Sequence, residues 1–181
     1  MKLWLVRHAQ PLVEPGVCYG ALDVPADAQA TRDAARALAQ DLPEGFALLH
    51  SPLQRCEQLT QVLCGLRPDL IPKTDTRLKE MDFGQWEGRR WDAIARAELD
   101  GWAAAFPTWR CGGAENVQDF MARVATVWDA TRALQRPTVW ITHAGVIRAA
   151  TLLAQGQRTL ERADQWPKDA PAWGQWHTLD M

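Results

Sequence analysis

Leu3-Trp4-Leu5-Val6-Arg7-His8-Ala9-Gln10, close to the start of the chain, is the stretch from which the rest can be read. Four consecutive apolar residues read as a short strand buried on both faces. The run stops on an arginine and a histidine, followed by a small residue and Pro11. A guanidinium and an imidazole gain little from packing at the end of an apolar strand, but they are well placed to meet an anion. A second stretch has the same grammar: Val139-Trp140-Ile141-Thr142-His143-Ala144-Gly145 is again an apolar strand, a histidine and small residues.

Between and around these stretches, strand and helix patterns alternate. Residues 2–7 are the first strand, and 9–26, with Pro11, Pro15, Gly16, Gly20 and Pro25, form a long loop. Loops of that length in compact domains tend to carry function. Residues 27–41 read as a helix with Ala30, Ala34, Leu38 and Leu42 inward and Thr31, Arg32 and Asp33 outward. Residues 46–50 are a second strand. Ser51-Pro52-Leu53-Gln54 then reads as a helix start, with Ser51 as N-cap, Pro52 at the first helical position and Gln54 completing a capping box. The inward face of that helix is Leu53, Cys56, Leu59, Thr60 and Leu63, and it ends at Gly65. Leu70-Ile71-Pro72 is a candidate short strand, 77–88 is irregular, and 89–106 holds one or two helices closed by Pro107. The clearest helix carries Val117, Phe120, Met121, Val124, Val127, Trp128 and Leu134 at three- and four-residue spacing. The strand 137–142 leads through His143 into a helix from Val146 to Leu153, and 175–180 is a candidate edge strand. This alternation specifies an α/β layered fold with a mostly parallel sheet.

Composition narrows the function. A chain of 181 residues is expected to be a single domain, residues 1–181, and a net charge of −2 offers no broad basic surface for nucleic acid. Cys18, Cys56, Cys64 and Cys111 have neither C-x-x-C nor zinc spacing and read as free thiols of a reducing compartment. The first residues run straight into a strand with no secretory signal, and no apolar stretch reaches transmembrane length. A cytoplasmic protein with no membrane and no nucleic-acid partner is expected. Ten tryptophans, including a cluster at Trp166, Trp173 and Trp176, are mostly packing residues, with a few available to line a pocket for a flat ligand.

In an open α/β sheet, ligands sit beyond the carboxyl ends of the strands, so His8 and His143 share one crevice if their strands are neighbours. Arg55, at the start of the helix after the second strand, opposes the helix dipole, which an anion at that place would relieve. His50 and His177 lack such company and read as structural. Two histidines could hold zinc only with a third ligand, against two arginines that repel a cation. Two arginines with two histidines suit an oxyanion, and a neutral imidazole can attack phosphorus. Glu80, close to Phe83 and Trp86, is a candidate carboxyl of raised pKa, acting as acid and then as base.

These motifs resemble the histidine phosphatase superfamily, the phosphoglycerate-mutase-like fold. The resemblance rests on Arg7-His8, on Ser51-Pro52-Leu53-Gln54-Arg55, on Leu78-Lys79-Glu80 with Phe83-Gly84-Gln85-Trp86-Glu87-Gly88, and on Thr142-His143-Ala144-Gly145. It implies a three-layer sandwich and a phosphomonoesterase of small phosphorylated metabolites that needs no metal or other cofactor. It also implies that His8 becomes a phosphohistidine and that Arg7, Arg55 and His143 hold the phosphoryl oxygens, with the amide after His143, at Ala144, near them. Glu80 would protonate the leaving group and then activate water. Where the family usually carries Gly, Glu-Thr and an Asn after the nucleophile, this chain has Ala9, Gln10-Pro11 and Glu14. Glu14 cannot replace an amide donor. Pro11, Gly16-Val17-Cys18-Tyr19-Gly20 and Asp23-Val24-Pro25 are similar to the alpha-ribazole phosphatase branch of cobalamin biosynthesis. That branch implies alpha-ribazole 5′-phosphate as substrate, with Tyr19 and Gly20 in the substrate loop. The alternatives are a phosphatase of another small phosphorylated metabolite, a phosphoglycerate mutase, and a phosphate-ligand binding module without catalysis. The short connection from Arg55 to Glu80 disfavours the mutase.

Overall fold

A computed structural model describes all of residues 1–181. Its centre is a five-stranded sheet of β1 (Lys2–Arg7), β2 (Ala47–His50), β3 (Pro72–Thr74), β4 (Thr138–Thr142) and β5 (Trp176–Asp180). The strand order is β3-β2-β4-β1-β5. The first four strands are parallel, and β5 pairs with β1 antiparallel at the edge. Helices α1 (Ala28–Asp41) and α2 (Gln54–Leu66) cover one face, and α4 (Val117–Ala133) and α5 (Ala144–Ala154) the other; α3 (Arg96–Ala104) lies in the connection between β3 and α4.

The two-residue period of the strands produces these layers. On β1, Leu3 and Leu5 join the α4/α5 core, whereas Val6 faces α1 and α2. On β4, Trp140 joins the first and Val139 and Ile141 the second. Both strands are therefore apolar on both faces, as central parallel strands must be.

The elements form close to where the pattern places them, with four differences. Ser51 does not cap α2. The N-cap is Leu53, with no side-chain cap bond, and the Gln54 amide instead donates to Asp23 Oδ1 in the long loop at 2.7 Å. The Ser51 hydroxyl is engaged by His143, so the helix starts two residues later. The third strand is shifted to 72–74: Leu70 turns into the α1/α2 core, while Ile71 is exposed. Thr31 is buried rather than outward, its hydroxyl donating to the Asp27 carbonyl one turn back. Leu134 lies past the last turn of α4 and is 54 % exposed. Helix α5 begins at Ala144, directly at His143.

Burial sets a contrast in stability between two of these leucines. Leu38, fully buried between α1 and the sheet, should cost about 2–5 kcal/mol on Leu38→Ala. Leu134→Ala should stay within about 0.5 kcal/mol of the parent. Denaturant unfolding of both variants checks the assignment of the layers.

Candidate active site

The site follows from the register of β1 and β4. Arg7 pairs with Thr142, and the His8 amide donates to the Thr142 carbonyl at 3.0 Å. This brings His8 and His143 side by side at the carboxyl ends of neighbouring strands, with ring centroids 5.2 Å apart. The chain leaves β1 for helix α1 on one face and β4 for helix α5 on the other, so a crevice opens between them. A cavity of about 280 Å³ fills that crevice, with Arg7, His8, Tyr19, Arg55, Glu80 and Ala144 in its wall. His143 lies fully buried directly behind His8.

His8 has one defined tautomer. Its Nδ1 lies 2.7 Å from the Ala9 carbonyl, which can only accept, so the proton is on Nδ1 and Nε2 keeps its lone pair. Burial, then the Arg55 charge, with a smaller push from Arg7, brings its pKa down to about 3. His143 is also held well below the usual histidine range, by burial first and then by Arg55 and His8. Its Nε2 lies 2.8 Å from Ser51 Oγ and 3.5 Å from Cys56 Sγ, while Nδ1 is buried with no partner in the protein.

The two cations are built in differently. Arg55 is fully buried: one terminal nitrogen donates to the Gly20 carbonyl at 2.6 Å, the other to the Leu22 carbonyl at 2.8 Å, and the Tyr19 ring packs on its plane at 5.5 Å. Arg7 donates to the Pro171 carbonyl at 3.0 Å and lies over Trp173. Burial lowers its pKa, against the pull of the Tyr19 hydroxyl and the Glu80 carboxylate. The Nε of each arginine is buried and unpaired. Left unmatched, such donors cost about 1–3 kcal/mol each. Arg7 Nε, Arg55 Nε and His143 Nδ1, all on side chains around His8, suit an oxyanion with several oxygens. A metal ion does not suit this donor set: no group of three or more His, Cys, Asp or Glu side chains converges anywhere in the chain, and two arginines flank the histidines.

Glu80 reaches the crevice from the irregular segment after β3. Its carboxylate accepts from the Met81 amide at 3.0 Å and from the Gly145 amide at 2.9 Å. Glycine at 145 makes room for this contact: a Cβ there would push the Glu80 carboxylate out of its place.

Of the remaining sequence candidates, Gly20 has no free backbone group to offer: its amide donates to Glu87 and its carbonyl holds Arg55. Glu14 is exposed outside the cavity wall. Cys18 is buried, and burial pushes its thiol up to about 12, which rules it out as a nucleophile at neutral pH. His50 is bonded to the Ser51 carbonyl and to Thr74, a structural position. The tryptophan cluster separates: Trp166 enters the cavity, Trp173 covers Arg7, and Trp176 stacks on Trp4.

Two features escaped the sequence reading. Arg148 lines the cavity and donates to the Lys168 carbonyl at 3.0 Å. Its place four residues after Ala144, on the same helical face, was the signal for it. The other is a continuous ribbon of rings, Phe83, Trp91, Trp102, Phe106, Trp166 and Phe120, with successive centroids 5.5–6.3 Å apart and every ring in the cavity wall. It draws on four separate segments, so no local pattern contains it.

A sheet of this order with paired histidines and arginines at its carboxyl edge defines an α/β phosphatase of the histidine type. The chain belongs to the histidine phosphatase superfamily (branch 1), whose family model matches residues 3–176. It is 29% identical over 163 residues to the glucosyl-3-phosphoglycerate phosphatase of Mycobacterium tuberculosis, covering 82% of this chain and 72% of the relative. The solved structure of a mycobacterial glucosyl-3-phosphoglycerate phosphatase superposes with a TM-score of 0.80 at 25% identity, covering 99% of this chain and 89% of that one. The alpha-ribazole phosphatase from Shigella flexneri shares the fold, with a TM-score of 0.82 at 22% identity over 100% of this chain and 91% of that one. The protein is a phosphatase. No helix is long and apolar enough to cross a membrane.

The lowered histidine pKa values make a prediction about stability. An unfolded histidine takes up its proton near pH 6.5, whereas folded His8 waits until about pH 3. Between these values the unfolded state binds more protons, so stability falls as pH falls, by up to about 1.4 kcal/mol per pH unit for each such histidine. Above pH 6.5 this contribution is constant. Urea unfolding at pH 7 and pH 4.5 should show the loss, and His8→Asn should reduce the slope by up to one histidine's share.

Proposed function

We propose that the protein hydrolyses phosphomonoesters through a phosphohistidine on His8, and that its substrate is alpha-ribazole 5′-phosphate. The observation that carries the chemistry is the His8 ring: neutral at working pH, proton fixed on Nδ1, lone pair on Nε2, and two arginines beside it. Nε2 attacks phosphorus and the bond from phosphorus to the leaving oxygen breaks. Glu80 supplies the proton that this oxygen takes up. Water then attacks the phosphohistidine, Glu80 takes its proton, and orthophosphate leaves with His8 restored. Arg7 and Arg55 neutralise the phosphoryl oxygens, so the reaction needs no metal for charge balance. His143 stays neutral and has to donate through its tautomer. The Ser51 hydroxyl donates a hydrogen bond to the Nε2 lone pair, leaving the ring N–H on Nδ1 for a phosphoryl oxygen.

The aromatic ribbon supports the choice of leaving group. A wall of six rings buries a flat base at a gain of roughly 0.5–1.5 kcal/mol per ring pair beyond area burial. The same wall offers the hydroxyls of a glucosyl glycerate few partners. Dimethylbenzimidazole attached to ribose has the flat shape that this wall accommodates.

Two measurements test the reading. Mixing with labelled substrate and quenching in base should trap an acid-labile phosphoenzyme that His8→Ala lacks. Parental turnover by His8→Ala would rule out the mechanism. On a panel of alpha-ribazole 5′-phosphate, glucosyl-3-phosphoglycerate and 3-phosphoglycerate, kcat/KM should be highest for the first. Trp102→Ala should lower that value about threefold to tenfold while sparing a small alkyl phosphate. Preference for either glycerate would overturn the substrate assignment and leave the chemistry intact.

A further inference from the structure

Glu87 lies outside the cavity wall, yet it is tied to the site more closely than its position suggests. Its carboxylate accepts four backbone amides: Gly20 and Leu22 on Oε2, each at 2.8 Å, and Ala21 and Phe83 on Oε1 at 2.8 and 2.9 Å. Three of these are consecutive amides of the loop after β1, curled around one anion. That is the geometry in which backbone nests hold phosphate, here filled by the chain's own carboxylate. The carbonyls of Gly20 and Leu22, the first and third residues of this nest, are the two that hold the Arg55 guanidinium.

Residues 20–22 thus lie between a half-buried anion and a buried cation, with amides turned to one and carbonyls to the other. Gly20 allows the close approach. A Cβ there would strike the Met81 carbonyl and come within 2.6 Å of the Phe83 ring. The fourth amide, Phe83, belongs to the segment that presents Glu80 three residues earlier. One carboxylate therefore ties the loop that aims Arg55 to the segment that carries Glu80. Nothing else in the protein pairs with the Gly20, Ala21 or Leu22 amides.

We propose that Glu87 is the positioning residue of the phosphate cradle, fixing Arg55 through the 20–22 loop. This rests on the reading of Arg55 as a phosphoryl ligand. Glu87 touches no substrate and transfers no proton. It fixes the carbonyls at 20 and 22 so that the Arg55 plane leaves Nε for the phosphoryl group. Glu87→Gln keeps the size but turns an NH₂ toward at least one of the four amides, and donor then faces donor. Glu87→Asp keeps the charge but is one methylene too short to reach every amide.

The experiment compares Glu87→Gln, Glu87→Asp, Arg55→Ala and the double variant Glu87→Gln/Arg55→Ala on p-nitrophenyl phosphate, with orthovanadate inhibition measured on each. Glu87→Gln should lower kcat/KM about 10- to 100-fold and weaken vanadate by a similar factor, with Glu87→Asp in between. In the Arg55→Ala background, Glu87→Gln should add less than about threefold, because its route to the phosphate is already gone. Full additivity, or vanadate affinity unchanged in Glu87→Gln, would overturn the proposal and leave Glu87 a fold-stabilising residue. If Glu87→Gln unfolds, Glu87→Asp and the double variant Glu87→Asp/Arg55→Ala decide on the same criterion. Loss of vanadate affinity on Glu87→Gln with parental affinity in Arg55→Ala would instead overturn the reading of Arg55, and the proposal with it.

Discussion

The hydrogen bond from the His8 amide to the Thr142 carbonyl, 3.0 Å long, is the constraint on which the site depends. It extends the parallel β1–β4 ladder by one step past the strands, so the two histidines emerge from the sheet together. A slip of β1 by one residue in this register would turn Val6 and Leu5 each to the wrong core, and a slip of β4 would do the same to Ile141 and Trp140. The hydrophobic layers thereby fix the position of the catalytic-type histidines. Site geometry and core packing are one specification here, so a rigid sheet edge, rather than a loop, carries both histidines.

The charges at the crevice follow a common scheme. Each buried polar group is matched on its protein side and left open on the other. His8 engages Ala9 through Nδ1 and keeps Nε2 free, and His143 engages Ser51 through Nε2 and keeps Nδ1 free. Arg55 places its terminal nitrogens on two carbonyls and keeps Nε. Because orientation is fixed by backbone groups, little reorganisation remains when a phosphoryl group arrives, and such preorganised dipoles are the most effective form of charge stabilisation. Burial keeps both imidazoles neutral beside two guanidinium groups, so the positive field around them comes from arginine alone.

Much of this was legible in the chain. Continuous apolar runs located β1, β2 and β4, period-3.6 patterns located α1, α2 and α4, and similar strand endings placed His8 and His143 in one crevice if their strands were neighbours. Arg55 was visible as a cation at the wrong end of a helix. What was not legible depends on contacts between distant segments. Ser51 looks locally like an N-cap, but its hydroxyl is drawn to a histidine 92 residues away, and the cap passes to Asp23 of a distant loop. A capping box is a local competition, and here a tertiary partner wins it. Leu134 fitted the helical period but fell one position beyond the last helical turn, where the period no longer applies. The aromatic ribbon and Arg148 were hidden for the same reason: each ring or charge is ordinary in its own segment and acquires meaning only where the segments meet.

The departures after His8 now have a physical setting. The family's usual residues there give way to Ala9, Gln10 and Pro11, and the backbone leads into the loop that cradles Arg55. The loop is fastened at several points: Pro11 bridges Ala26, Val17 bridges Arg90, Cys18 exchanges backbone bonds with Gly88 and Arg89, and Asp23 ties to Gln54. A long connection with so many anchors behaves as part of the scaffold. Positions 9–14 lie outside the cavity wall, while the far end of the same loop holds the arginine. In the proposed function, phosphoryl transfer belongs to β1, β4 and the loop that holds Arg55, and the leaving group meets the rings and Arg148 of the cavity wall.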